Sequence, residues 1–433
     1  MRAISADYIY PISSDPIKNG VVFIDDEGTI LKIGSISEFG ISISELENNQ
    51  TEIEYYKGII CPGFINTHCH LELSHLHSQI SEKAGIAGFI KEIVSKRTNF
   101  SAALIEQAIE DAEAEMIKNG IVAVGDVSNN LNTFKQKGKG NLLYHTFIEV
   151  FDLYAGKADE LFEHALGLKK NLQNFENFNL KLPASIVPHS PYTVSKKMLE
   201  LINKHALENG DILCVHNQES AEENQLFISK SGLLYDALNK MGVAISSIEK
   251  TGLNSLQSTL PLLKNFSKLL LVHNTFTTLD DIRFAKKQIE KNTSKVNRIG
   301  IEEIKNGDAD ISICGDQISN LYWCTCPNAN LYIENKLPNY NNFIKENVCV
   351  TIGTDSLASN RSLSVLDELK TISKYFPEIP LQTLLLWATK NGANYLGFRH
   401  LGVIEKGKKP GLNLLKNISE LKISMNTEMQ KLV

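Results

Sequence analysis

Two histidines one residue apart, His68 and His70, close the apolar run GIICPGFINTHCH. On an extended strand, side chains two apart project to the same face, so both imidazoles aim at one point while Cys69 points away. A cation held there needs further ligands from elsewhere in the chain. Later apolar runs end on residues of the right kinds. His189 follows one in VPHSPYT, His216 another in LCVHNQES, His273 a third in LLLVHNTF, and Asp355 closes VTIGTDSLASN. The chain has eleven histidines, and five of them stand at the ends of predicted strands, which chance does not readily explain.

Imidazole nitrogen and carboxylate oxygen suit zinc and could equally hold iron or manganese. His68, His70 and His216 would supply nitrogen to one divalent ion. Asp355 would supply oxygen and accept a proton from a bound water. Such an ion lowers the pKa of its water from about 15.7 towards ~7. Glu219, three residues past His216 at the opening of a helix, is suited to move a proton between that water and a leaving group. His273 would steer the water or stabilise a developing oxyanion.

These residues need a scaffold that brings strand ends together. Residues 1 to about 57 read as short strands and turns, with a polar surface loop over 44–52. From Ile59 the rhythm becomes apolar strands alternating with amphipathic helices. Predicted strands are Ile59–Thr67, Ile121–Val127, Leu143–Phe151, Leu182–Pro188, Ile212–His216, Leu269–His273, Leu321–Thr325 and Val348–Thr354. Predicted helices are Ala102–Lys118, Ala158–Leu172, Lys196–Glu208, Leu226–Lys240, Leu279–Glu290 and Leu363–Tyr375. The strand runs are apolar without strict alternation, as in parallel strands covered on both faces. Eight such units in series predict an α/β fold, a (β/α)8 barrel of the TIM type, whose site lies at the C-terminal strand ends. The polar stretch 291–318 reads as an inserted loop, Leu401–Leu415 as a returning strand, and Ser419–Val433 as a ragged end.

Composition restricts the partners. Over 433 residues, 42% are hydrophobic and 22% charged, with a net charge of −6. That is the profile of a soluble globular chain large enough for a sizeable core. No basic block points to nucleic acid and no apolar run is long enough for a membrane span. Seven cysteines without framework spacing fit a reducing compartment, and the cytoplasm is the expected location. Cys324 and Cys326 lack a second pair, which argues against a structural zinc site. His75 and His77 lie beyond the strand and read as solvated or packing residues.

The set PGFINTHCH, PHSPYT, HNQE, HNT and GTDSLASN resembles the amidohydrolase superfamily. More narrowly it is similar to the branch holding cytosine, guanine, adenosylhomocysteine and aminodeoxyfutalosine deaminases and the triazine chlorohydrolases. The resemblance covers nearly the whole chain. It implies a barrel over residues 58–398 with a small β-sandwich domain built from 1–57 and 399–433. It implies metal ligands at His68, His70, His216 and Asp355, a proton-shuttling Glu219, a catalytic His273 and a substrate-contacting His189. Two-metal relatives carry a bridging lysine or glutamate where this chain has Val187-Pro188-His189, so the resemblance implies one ion, zinc first.

The expected reaction is hydrolytic deamination of an aminated heteroaromatic ring in a small-molecule substrate. Amide ion is a very poor leaving group, so Glu219 as a proton donor favours a deaminase over a chlorohydrolase. Amide or carbamate hydrolysis is the alternative chemistry, and a catalytically silent binding protein the alternative class. The HLELS continuation resembles the aminodeoxyfutalosine deaminases, which implies an adenine-type nucleoside. Glu72 and Ser74 within it either touch that substrate or cap the loop's own backbone. Ala329 departs from the family's CPxSN stretch in CPNAN. Relatives imply a homodimer or a larger assembly.

Overall fold

The computed structural model describes residues 1–40, 53–153, 156–174, 182–243, 245, 248–264, 266–300, 313–314, 317–318 and 320–433. The polar loop expected over 44–52 lies outside them. Strands β1 (Arg2–Ile9), β2 (Ile17–Ile24) and β3 (Ile30–Ser35) form an antiparallel meander, and β4 (Ile53–Pro62) runs parallel to β1.

The single strand expected over Ile59–Thr67 is in fact two. The chain breaks at Pro62-Gly63 and resumes as β5 (Phe64–Cys69). A Cβ on Gly63 would come within 2.4 Å of Val122 Cγ1 and 2.8 Å of the Pro410 carbonyl, so only glycine fits this passage between sheets. From β5 the parallel order continues through β6 (Ile121–Ser128), β7 (Leu143–Val150) and β8 (Ala184–Pro188), which form one four-stranded sheet. Then β9 (Leu213–Asn217) and β10 (Leu269–His273) are followed by a two-residue pair, β11 (Ile313–Cys314) and β12 (Gln317–Ile318). Two further strands, β13 (Leu321–Thr325) and β14 (Cys349–Ile352), complete a second parallel sheet in the order β14-β13-β10-β9.

The eight parallel strands therefore stand as two half-sheets, without one closed ladder among the described residues. They meet through isolated hydrogen bonds. At one seam His216 N donates to the His189 carbonyl at 3.0 Å. At the other, Thr354 N and Asp355 N both donate to the His68 carbonyl at 3.1 Å, and Cys69 and Asp355 form an isolated parallel bridge. Pro188 at the end of β8 has no N–H to give, which limits pairing at the first seam.

Helices cover the outer faces. Ser101, Ser195, Ser220 and Ser364 each accept a main-chain N–H and so start the helices Ala102–Lys118, Lys196–Asn209, Ala221–Ser229 and Val365–Tyr375. The helix expected over Leu226–Lys240 is two, Ala221–Ser229 and Leu233–Lys240, because Lys230 and Gly232 between them have positive φ. In place of a loop from residue 291, the helix Leu279–Gly300 continues and the β11–β12 pair follows. The remainder of that stretch is outside the described residues.

The tail returns as β15 (Leu412–Lys416), antiparallel to β4, and β16 (Glu428–Lys431), antiparallel to β15. Both termini thus build one six-stranded sheet, β16-β15-β4-β1-β2-β3, with no facing sheet of a sandwich among the described residues. The end is paired where a ragged end was expected. Among the described residues Cys61, Cys69, Cys214, Cys324 and Cys326 are free and buried, and Cys349 is disulfide-bonded. No helix of the described residues is long and apolar enough to cross a membrane.

Candidate active site

Strand ends carry the expected residues to one place. His68 and His70 come at the end of β5, and their Nε2 atoms lie 3.1 Å apart. His216 on β9 brings its Nε2 to 3.3 Å from that of His70. Asp355, just past β14, places Oδ1 3.7 Å from His68 Nε2 and 3.5 Å from His70 Nε2. Asp355 holds this position with a left-handed φ of 56°, and its Oδ2 accepts from Ser359 Oγ at 2.5 Å.

These four spacings test whether a cation fits. Ligand atoms about 2.0–2.1 Å from a tetrahedral zinc lie roughly 3.3–3.4 Å from one another, close to the observed edges of 3.1 to 3.7 Å. Nitrogen lone pairs gathered this closely need a positive charge among them. The three imidazoles are also in the form a cation requires. Burial lowers the pKa of all three, His70 to about 4 and His216 well below its ordinary value. Burial opposes ionisation of Asp355, but the neighbouring imidazoles of His68, His70 and His273 hold its carboxyl below the usual range. His216 Nδ1 donates to the His189 carbonyl at 2.7 Å, which leaves Nε2 bare towards the cluster. His68, His70 and Asp355 make a three-ligand set that fits a zinc-like ion, and His216 stands beside it in two further such sets, with His68 and His273 and with His70 and Glu149.

Around this cluster lies a cavity of about 330 Å³, a size ordinary for a small-molecule site. Its floor includes His70, His216, Glu219, His273 and Asp355, and its walls are largely apolar, with Phe89, Ile93, Phe151 and Leu238. Glu219 is 7% exposed, and burial, then the charges of Asp355 and Glu223, push its carboxyl well above the ordinary range. Glu223 accepts from the main-chain N–H groups of Gln218 and Glu219, which fixes the turn into the helix. Glu219 Oε1 lies 3.6 Å from His273 Nε2. His273 donates through Nδ1 to Asn330 Oδ1 at 2.9 Å, so its Nε2 is free to accept. Both His273 and Asn274 have positive φ, a local strain at the end of β10.

The other expected site residues divide. His189 is part of the cavity wall, with its ring against Phe151 and His216. Glu72 also reaches the wall, and burial pushes it up to about 7. Ser74 is not brought there: its hydroxyl donates to the Leu71 carbonyl at 2.7 Å, the loop-capping alternative. Sequence reasoning missed Glu149 and Asn330. Glu149, near the end of β7, is buried beside His216, and its position within FIEVF, a lone acid in an apolar run, was the available signal. Asn330 ends CPNAN, directly after the fourth-position departure at Ala329.

Comparison with known proteins follows the same lines. Residues 59–432 match the amidohydrolase family. An adenosine deaminase of Helicobacter pylori is 25% identical over 404 residues, covering 91% of this chain and 86% of the relative. By structure, the chain is similar to Helicobacter pylori aminofutalosine deaminase in complex with methylthio-coformycin, at a TM-score of 0.71 and 22% identity, over 97% of this chain and 93% of that one. It is also similar to an adenosine deaminase from Xanthomonas campestris with bound zinc, at a TM-score of 0.65 and 18% identity, over 95% and 84%. The chain belongs to the amidohydrolase family, as a hydrolase of carbon–nitrogen bonds.

Proposed function

We propose that the protein is a zinc-dependent deaminase of an adenine-type nucleoside, aminodeoxyfutalosine or a close analogue. The closeness of His68, His70, His216 and Asp355, beside a cavity that Glu219 and His273 line, carries this reading. The deaminase names of the relatives support it. On the same reading the two half-sheets are halves of one (β/α)8 barrel over residues 58–398, and segments 1–57 and 399–433 form the accompanying sheet domain.

In this scheme His68, His70, His216 and Asp355 would hold the ion, which would supply a water acidified towards a pKa of ~7. Asp355 would accept a proton from that water and pass it to the departing amine. Glu219, whose protonated form burial favours, would donate to the ring nitrogen beside the amine-bearing carbon and take back the proton of the new hydroxyl as the carbonyl forms. His273, its Nδ1 fixed by Asn330, presents a bare Nε2 to the attacking water and orients it. A carbon–oxygen bond replaces the carbon–nitrogen bond, and ammonia leaves.

An ammonia-release screen tests the proposal on zinc-loaded protein with adenine, guanine, cytosine and pterin compounds and their nucleosides. Release from adenine nucleosides with about one zinc per chain is expected. Release confined to guanine, cytosine or pterin compounds, or none from any of them, overturns it.

A further inference from the structure

Helix Val365–Tyr375 turns an apolar face inward with Val365, Leu369 and Ile372, all fully buried. Glu368 stands on that face and is buried as deeply as they are. Packing asks for no acid there, and withdrawing one from water is costly. Burial pushes its carboxyl up to about 8. Both oxygens are engaged: Oε1 accepts from Asn360 Nδ2 at 2.7 Å and Oε2 from Asn328 N at 2.8 Å. Each bond leads to a strained residue of the site. Asn360 Nδ2 also donates to the Thr354 carbonyl at 2.8 Å, in the peptide that leads into Asp355 with its left-handed φ. Asn328 lies in the first turn of helix Pro327–Glu334, where a main-chain N–H has no partner within the helix. That helix carries Asn330, the acceptor for Nδ1 of His273, whose φ is also positive. Such conformations persist only where their surroundings fix them.

We propose that Glu368 is a positioning residue, a clamp that holds Asp355 and His273 in register through Asn360 and the start of helix Pro327–Glu334. The proposal rests on the reading of Asp355 as a metal ligand and of His273 as the residue that orients the water. Glu368 is not among the residues that line the cavity, so it acts through others. It joins the segments that follow β13 and β14, beyond their last paired residues, Thr325 and Ile352. A glutamine in its place offers one oxygen and one NH2 group. Either Asn328 N–H or Asn360 Nδ2 would then face another donor, and the link between the two segments would break.

The test measures zinc affinity by chelator competition on wild type, Glu368→Gln, Asn360→Ala and the double variant, with Glu113→Gln as control. Glu113 is another buried carboxyl, accepting from Asn141 Nδ2 and Tyr144 Oη at the end of β7 away from the cavity. Each single variant is expected to bind zinc ~10-fold more weakly, as for loss of outer support to a ligand. The double variant should lose no more than the weaker single one, because both changes cut the same link. Glu113→Gln should bind zinc as wild type does, whatever it costs in stability. At saturating zinc, Glu368→Gln should also lower kcat for adenosine ~10-fold with KM unchanged, since the support of His273 is cut as well. Unchanged zinc affinity in the single variants, additive losses in the double variant, or an equal loss in Glu113→Gln overturns the clamp. A normal kcat at saturating zinc overturns its arm to His273. Should Glu368→Gln fail to fold, Asn360→Ala decides by the same zinc measurement. Weaker zinc binding in the variants, with no ammonia released by wild type from any adenine compound, upholds the clamp and sinks the deaminase reading.

Discussion

Glu219 has an environment that favours its protonated form. It is buried, near the carboxyl groups of Asp355, Glu223 and Glu334, and 3.6 Å from an imidazole whose own pKa is lowered. Removing its proton chemistry while keeping its size should separate turnover from metal binding. Glu219→Gln is expected to lower kcat by ~10²–10⁴ with zinc content unchanged, as for loss of a general acid–base group. Steady-state rates and metal analysis on the same preparation check it, and a variant with near-normal kcat would remove Glu219 from the proton path. Ser74 makes the opposite case. Its hydroxyl is spent on the Leu71 carbonyl, so Ser74→Ala should leave KM within about twofold and cost about 0.5–1.5 kcal/mol of stability. A large rise in KM with unchanged stability would return Ser74 to the substrate.

At the level of elements, the loop after β5 depends on a buried ion pair outside the cavity. Asp126 on β6 accepts from Leu71 N at 2.8 Å, one residue past His70, and pairs with Lys137 at 2.6 Å, both side chains fully buried. Lys137 also donates to Ser128 and Thr146. Lys137→Met strands the aspartate and should cost about 3–5 kcal/mol, the usual penalty for a buried charge left without its partner. Urea unfolding of the zinc-free protein measures it, and a loss under ~1 kcal/mol would mean that water or another donor reaches Asp126. Elements with a strong local signal were legible in the sequence, as for β10 and the helices capped by Ser101, Ser195 and Ser364. The helix Gly85–Lys96, which walls the cavity with Phe89 and Ile93, was not: it contains two glycines and Ala84 makes no side-chain cap. Strand β16, EMQK, carries no apolar alternation and is recognisable only from its pairing with β15. The division of Ile59–Thr67 is likewise tertiary, since apolar residues flank Gly63 on both sides and the packing of Val122 reveals the break. Metal-ligand candidates were legible because each ends an apolar strand with a polar residue, whereas Glu149 precedes the end of its run and reads as interior.

The whole molecule carries opposing pH dependences, and their balance can be measured. Burial lowers His70 to about 4 and His145 to about 3, against an ordinary value of about 6.5. Below pH 6.5 the unfolded chain takes up protons that these folded imidazoles refuse, so stability falls as pH falls from 6.5 towards 4. Burial raises Glu72 and Glu223 to about 7 and Glu368 to about 8. The folded chain keeps these protons after the unfolded chain has lost them, so their contribution disappears as pH rises through 7 and 8. Zinc-free protein should therefore be most stable between about pH 4.5 and 6.5 and lose stability from pH 6 to 8. Zinc acts in the other direction. Its ligands must be deprotonated, so affinity rises with pH, and a ligand at 100 times its Kd adds about 2.7 kcal/mol to the folded state. Thermal melts at pH 5, 6, 7 and 8, with chelator and with excess zinc, should show the chelated Tm falling above pH 6 while the zinc increment grows. A chelated Tm that climbs from pH 6 to 8 would show that the buried glutamates do not hold their protons in the fold, and the protonated Glu219 on which the proposed chemistry relies would lose its main physical support.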